Sequence, residues 1–275
     1  NNNGGAVYLE HTDAYLRSGT IDGHTGDQSQ TSAVNMPANA YRGGAVYVSG
    51  GNLVMGKDSY QNDGGDTMTP VITVKNCLAD NDGGGIYLAD GTEESLVTVQ
   101  MSGRVNMENL VAREFGGGIC AHGYAEISAK GEASDSLSFK HCVSYYNSYN
   151  NRGGQGGGIF AGNSTVSIEN TKFDSCNATL TGSVTGAGGG AVYTSGDSLT
   201  LKNDMFLNCS SSSKGGAVFS VATTLTATDC TFGTETAGTA CYSGSEGGAL
   251  CHYDTAYDEN GYNYSNTPTK TTIDH

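Results

Sequence analysis

Three groups of side chains in this sequence carry chemistry: cysteines, clustered acids and a recurring aromatic ring. There are 8 cysteines. Cys142, Cys176 and Cys209 close the segments "FKHC", "FDSC" and "FLNC". The same place is taken by Cys77 in "VKNC", by Met36 and by Leu110, so it reads as a buried apolar position. No CxxC occurs, and the Cys and His residues lack zinc-finger spacing. Cys230 and Cys241 fall outside that column and near each other, which makes them the candidate disulfide. Oxygen ligands gather in "ADNDGGG" at 79–85 and "YDTAYDENGYN" at 253–263. Asp80, Asp82, Asp258 and Glu259 are therefore candidate Ca²⁺ ligands, although neither segment has EF-hand spacing and solvated acidic loops are the plainer account. The rings are Tyr8, Tyr47, Tyr87, Phe160, Tyr193 and Phe219. They form either an outward surface stripe able to bind a glycan or a partner, or a set buried at a corner.

Other chemistries find less to work with. Glycosidases and lyases need converging carboxylates, or acids with a Lys or Arg. No acidic pair recurs within the repeat, and the arginines at 17, 42, 104, 113 and 152 lie outside its strand positions. The expectation is a non-enzymatic protein with no cofactor, the alternative being a carbohydrate-active enzyme or phage-type fibre acting on polysaccharide. A nucleotide-binding glycine loop opens a helix, and no helical period follows any glycine pair here.

The elements that hold these residues come from an internal repeat. "GGAVY" stands at 4–8, 43–47 and 189–193, within eight copies of Gly-Gly-[Ala/Gly]-aliphatic-[Tyr/Phe/Cys]. The copies begin at Gly4, Gly43, Gly83, Gly116, Gly156, Gly189, Gly215 and Gly247, 26 to 40 residues apart. A constant unit with insertions of varied length is a solenoid pattern. The fourth position runs Val7, Val46, Ile86, Ile119, Ile159, Val192, Val218, Leu250, as a buried strand position would. Glycines 4, 5, 43, 44, 84, 85, 189, 190, 215 and 216 (Gly4, Gly5, Gly43, Gly44, Gly84, Gly85, Gly189, Gly190, Gly215, Gly216) read as corner residues.

A second strand shows as apolar residues two apart, in Val166-x-Ile168 and Leu199-x-Leu201. A third lies before the next glycine pair. Its first position is Ala33, Val74, Met107, Phe139, Phe173, Phe206 or Phe232; its fourth is Met36, Cys77, Leu110, Cys142, Cys176, Cys209 or Glu235. Two inward residues three apart break the period of two, so the chain must bend between them. Asn35, Asn76, Asn109 and Asn208 stand at the bend, where asparagine best tolerates the left-handed conformation and can bond from coil to coil. The prediction is all-β: a right-handed parallel β-helix of about eight coils, three short strands per coil, with variable loops. One domain spans 1–275, with a Tyr-rich insertion or local cap at 253–270 in the last coil. A β-propeller needs about 40–45 residues per blade, more than the 26-residue unit offers.

"FLNCSSSSKGGAVF" and "NCLADNDGGGIY" resemble the repeat of the chlamydial polymorphic outer membrane proteins, in which GGA-aliphatic motifs alternate with Phe-x-x-Asn. The resemblance runs from Gly4 to about Cys251 and departs in placing Asn third and Cys fourth. It implies an exported right-handed β-helical stalk or passenger, often adhesive, at the cell surface.

The balance of charge narrows the partners. With 13 Lys and Arg against 28 Asp and Glu the formal charge is −15, which repels nucleic acid. No run of 18 apolar residues suits a transmembrane helix. Neither end carries a recognisable cap, so self-association through coil ends or continuation of a longer array is expected. A host-surface or glycan ligand fits the same extracellular or cell-surface setting.

Overall fold

The computed structural model describes residues 3–23, 40–56, 60–61, 67–68, 70–133, 136–149, 151–179, 188–221, 223–253 and 271–274. Among the described residues every regular element is a strand, and the strands stack coil upon coil into a parallel β-helix. Two sheets hold eight strands each and two hold seven and six successive rungs on their main paths. Among the described residues six coils therefore have four strands where the repeat suggests three. The fourth follows the asparagine corner, at Leu78–Ala79, Val111–Ala112, Val143–Asn147, Asn177–Thr179, Ser210–Ser211 and Tyr242–Ser243.

In the first sheet the register joins Val7, Val46, Ile86, Ile119, Ile159, Val192, Val218 and Leu250 in one column. Six of them, from Val46 to Val218, are wholly buried in the main core. The second sheet adds Val99, Ile127, Val166, Leu199 and Leu225, and the third adds Val74, Met107, Phe139, Phe173, Phe206 and Phe232. The rings of Phe139, Phe173, Phe206 and Phe232 stack with centroids 4.9, 5.0 and 4.9 Å apart. Parallel strands at their ordinary spacing impose that distance, so the stack is a product of register. In the first coil Ile21, on the strand Gly19–Asp22, pairs with Val74 and takes the place expected of Ala33. Asn35, Ala33 and Met36 lie outside the described residues.

The corners are left-handed, as the asparagines imply. Asn76, Asn109, His141, Ser175 and Asn208 have φ between 51° and 56°. Asn109 donates from Nδ2 to Asn76 Oδ1 at 3.2 Å, and Asn76 donates to Asp22 at 2.9 Å. His141 and Ser175 interrupt this ladder, and Asn208 reaches Asp174 instead at 3.4 Å. A second ladder, absent from the sequence reading, turns strand two into strand three at Asn170, Asn203 and Asp229, with φ of 53–54°. There Asn203 Nδ2 donates to Asn170 Oδ1 at 2.6 Å.

The two glycines of each pair do different work. The first has positive φ: 68° at Gly4, 62° at Gly43, 65° at Gly83, 62° at Gly189 and 57° at Gly215. A Cβ on Gly189 would lie 2.0 Å from the Val192 carbonyl oxygen. The second glycine meets backbone from two directions. A Cβ on Gly190 would be 2.2 Å from Gly216 O and 2.4 Å from Ser210 O. In the third copy Gly83 takes the first role, Gly84 the second, and Gly85 faces Leu110 and Met107 in the core. The fourth-strand residues whose backbone the second glycines meet are each followed by a small, buried one: Ala79, Ala112, Ser144, Ala178 and Ser211.

Candidate functional site

On the first sheet, alternation turns Tyr8, Tyr47, Tyr87, Cys120, Phe160, Tyr193, Phe219 and Cys251 away from the main core, in one register. They do not form a solvent-facing stripe. Tyr47, Tyr87, Phe160 and Phe219 are 6–8 % exposed and belong to separate hydrophobic clusters; Tyr8, on the outermost coil, is 51 % exposed. Residues standing just before glycine pairs help to cover them, at Arg42, Phe115 and Lys214. The Arg42 guanidinium carbon lies 5.1 Å from the Tyr87 ring centre, and Lys214 Nζ 6.0 Å from that of Phe219. The rings of Phe115 and Phe160 are 4.6 Å apart. Each covering cation has an acid: Arg42 with Asp82, Lys214 with Glu246, and Arg152, which sits over Phe115, with Glu114.

The fourth coil breaks the pattern and makes a site. Cys120 replaces the aromatic residue, while Phe115, one column over, supplies a ring. The space vacated at the thiol admits His122, two residues along and on the same face. Its ring packs edge-on to Phe115 at 5.0 Å and tilts against Phe160 at 4.9 Å. From there it reaches Asp82 in the preceding coil, with Nε2 3.3 Å from Oδ2. The Asp82 side chain is wholly buried. Its Oδ2 accepts from Arg42 Nε and from Asn81 Nδ2, each at 3.2 Å. Its Oδ1 has no hydrogen-bond partner, and neither has His122 Nε2.

Carboxylate, thiol and imidazole each place a ligand atom within 4.8 Å of the other two. Burial pushes the Cys120 thiol well above its ordinary value, with Asp82 adding to the rise. Burial also raises the Tyr87 phenol. Burial lowers the affinity of Arg42 for its proton, but Tyr87, Asp82 and Tyr41 outweigh it and the guanidinium is held above its usual value.

The remaining expected site residues separate. Asp80 pairs with Arg113 and Asp82 with Arg42, so the two acids do not converge on a Ca²⁺; Asp258 and Glu259 lie outside the described residues, as do positions 254–270 of the Tyr-rich insertion. All eight cysteines are free, including Cys230 and Cys241. Cys241 belongs to the column of Cys142, Cys176 and Cys209: an insertion at 233–240 loops out, and its thiol donates to Phe206 O at 3.4 Å as Cys176 does to Phe139 O. Glu235, aligned by sequence with the fourth position, belongs to that insertion. Cys230 follows the second corner, at the position of Asp204 and Thr171.

Asp204 is the other buried acid of note. Its Oδ1 accepts from Thr171 N at 2.9 Å and its Oδ2 from Lys202 N at 3.0 Å. Burial nevertheless raises its carboxyl to about 7. Beside the fourth sheet, a groove of about 390 Å³ is lined by Asp80, Arg113, Tyr145, Tyr146, Asn147 and Tyr149. Tyr149 is 97 % exposed.

The sequence reading missed His122 and the covering column. The signal was present: Arg42, Asp82, Lys214 and Glu246 all stand one residue before a glycine pair. Comparison with protein-family models, with curated proteins and with solved structures found no match for this chain.

Proposed function

We propose that this chain is a structural rod of an exported, surface-exposed protein, joined to its neighbours along the axis and adhesive on its side. The observation that carries the reading is the state of the outermost coils. Ile273 pairs with Ala227, a core position, yet is 62 % exposed. Val7, Leu9 and Leu250 pack against the core but are only partly covered. Among the described residues these rungs present apolar side chains and strand edges to whatever lies next along the axis. Such edges pair with further strands, from the same array or from a second copy. The eight-coil ladder supports a rigid spacer, about 35–40 Å long at ordinary strand spacing. The adhesive surface is the groove at Arg113, where Tyr145 and the exposed Tyr149 flank an Arg–Asp pair, a combination that stacks on sugar rings and bonds their hydroxyls.

Negative-stain microscopy of the purified chain over a range of concentrations tests the axial contact. Rods that lengthen with concentration in the wild type, and stay short in Ile273→Lys, support it. Short rods of one length at every concentration, with no further array attached, overturn the stacking of copies. Glycan-array binding that is lost in Tyr149→Ala, with the β-sheet circular dichroism unchanged, tests the groove.

A further inference from the structure

We propose that Asp82, Cys120 and His122 bind a single Zn²⁺-class transition-metal ion. The donor set comes first. A thiol, an imidazole and a carboxylate suit borderline ions such as Zn²⁺, and the first two are poor ligands for Ca²⁺. Geometry comes second. Zn–N and Zn–O bonds of about 2.0–2.1 Å at a tetrahedral angle place their ligand atoms about 3.3 Å apart. His122 Nε2 and Asp82 Oδ2 are 3.3 Å apart, and the thiol lies within 4.8 Å of both partners' ligand atoms.

The third observation is independent of spacing. Asp82 Oδ1 and His122 Nε2 are buried atoms without a hydrogen bond. An unpaired buried polar atom costs about 1–3 kcal/mol, and the imidazole and the carboxylate of this cluster each contribute one. A cation held by the imidazole and the carboxylate gives their unpaired atoms a partner charge.

Binding releases the Cys120 proton to solvent, so a dication meets one thiolate and one carboxylate. Arg42 stays paired with Asp82 Oδ2, and the seat gains one net positive charge on binding. The His122 side chain is 30 % exposed and marks the way in. With three protein ligands the fourth position is left for water or an exogenous donor.

The test uses the whole chain, reduced and stripped with chelator, and Co²⁺ as a spectroscopic stand-in for Zn²⁺. One equivalent should produce the thiolate-to-cobalt charge-transfer band and tetrahedral d–d absorption, both bleached by Zn²⁺. Cys120→Ser and His122→Ala should each lose the band, whereas Cys230→Ser should keep it. Because His122 is partly exposed, its variant should retain the wild-type circular dichroism. X-ray absorption of the zinc-loaded wild type should show one sulfur in a shell of lighter donors, a readout that needs no variant. Absence of stoichiometric Co²⁺ uptake, persistence of the band in Cys120→Ser, or a zinc shell without sulfur would overturn the proposal.

Discussion

At the level of single residues the fold rests on positions where only one side chain fits. Gly189 combines a φ of 62° with a carbonyl 2.0 Å from the place of a Cβ. Gly189→Ala should therefore lower stability by about 2 kcal/mol or more, read as a shift of the urea midpoint. Asp204 gives a pH signature. Its carboxyl sits at about 7 in the fold, against an ordinary 3.8, because burial outweighs two N–H donors. Between about pH 4 and 7 the folded chain keeps a proton that the unfolded chain has released. The contribution of Asp204 is thus most favourable at the acid end and falls as pH rises through that window, by on the order of 3 kcal/mol. Other carboxylates run the opposite way; Asp174, for instance, is held low by Ser175, Lys172 and Asn208 despite burial. The measurement is therefore the difference in urea stability between wild type and Asp204→Asn from pH 4.5 to 7.5. A pH-independent difference would remove Asp204 from the account.

At the level of elements, stability comes from stacks shared between coils. Phe173 lies between Phe139 and Phe206 and is fully buried, so Phe173→Ala should cost about 3–5 kcal/mol by loss of buried area and a residual cavity. Phe232, on the last rung of the stack, is only partly buried, and its replacement by Ala should cost clearly less in the same melt. The cysteine column makes a separate expectation. Cys77, Cys142, Cys176 and Cys209 are wholly buried, each thiol within hydrogen-bonding reach of backbone carbonyls. A thiol reagent should label fewer than eight cysteines in the native protein and all eight in denaturant. What the sequence disclosed of these elements follows from how much each depends on side-chain type. The aliphatic column and the Asn76–Asn109 corner were legible because burial and left-handed φ restrict the choice of residue. The fourth strand was not: its pieces are two to five residues long and open on Leu, Val, Asn, Ser or Tyr, because what meets the second glycine there is backbone and not a side-chain type. Cys241 was misplaced because an insertion at 233–240 separates it from Phe232, which hides its equivalence to Cys209. The direction of the Tyr column was open because alternation gives the face but not the cover, and the cover comes from a different coil position. His122 was invisible for the same reason, since it completes a site only through Asp82, 40 residues away in sequence and one coil away in space.

For the whole molecule, the direction of the hydrogen bonds has a mechanical meaning. The chain winds around the axis while its sheet bonds run along it, from each glycine pair to the next, as Gly43 N to Asp82 O and Gly44 N to Gly83 O do. A pull applied to the two chain ends does not shear all coils at once; it peels the outermost coil, a few bonds at a time. Each coil released pays out 26 to 40 residues of slack, or roughly 90–140 Å at about 3.4 Å per residue. Stretched between two optical traps, the chain should yield in a staircase of such steps and rewind stepwise when the load is relaxed, and a single all-or-none rupture would contradict this. A helix of strands built this way is also a reel, able to lengthen several-fold under tension one coil at a time.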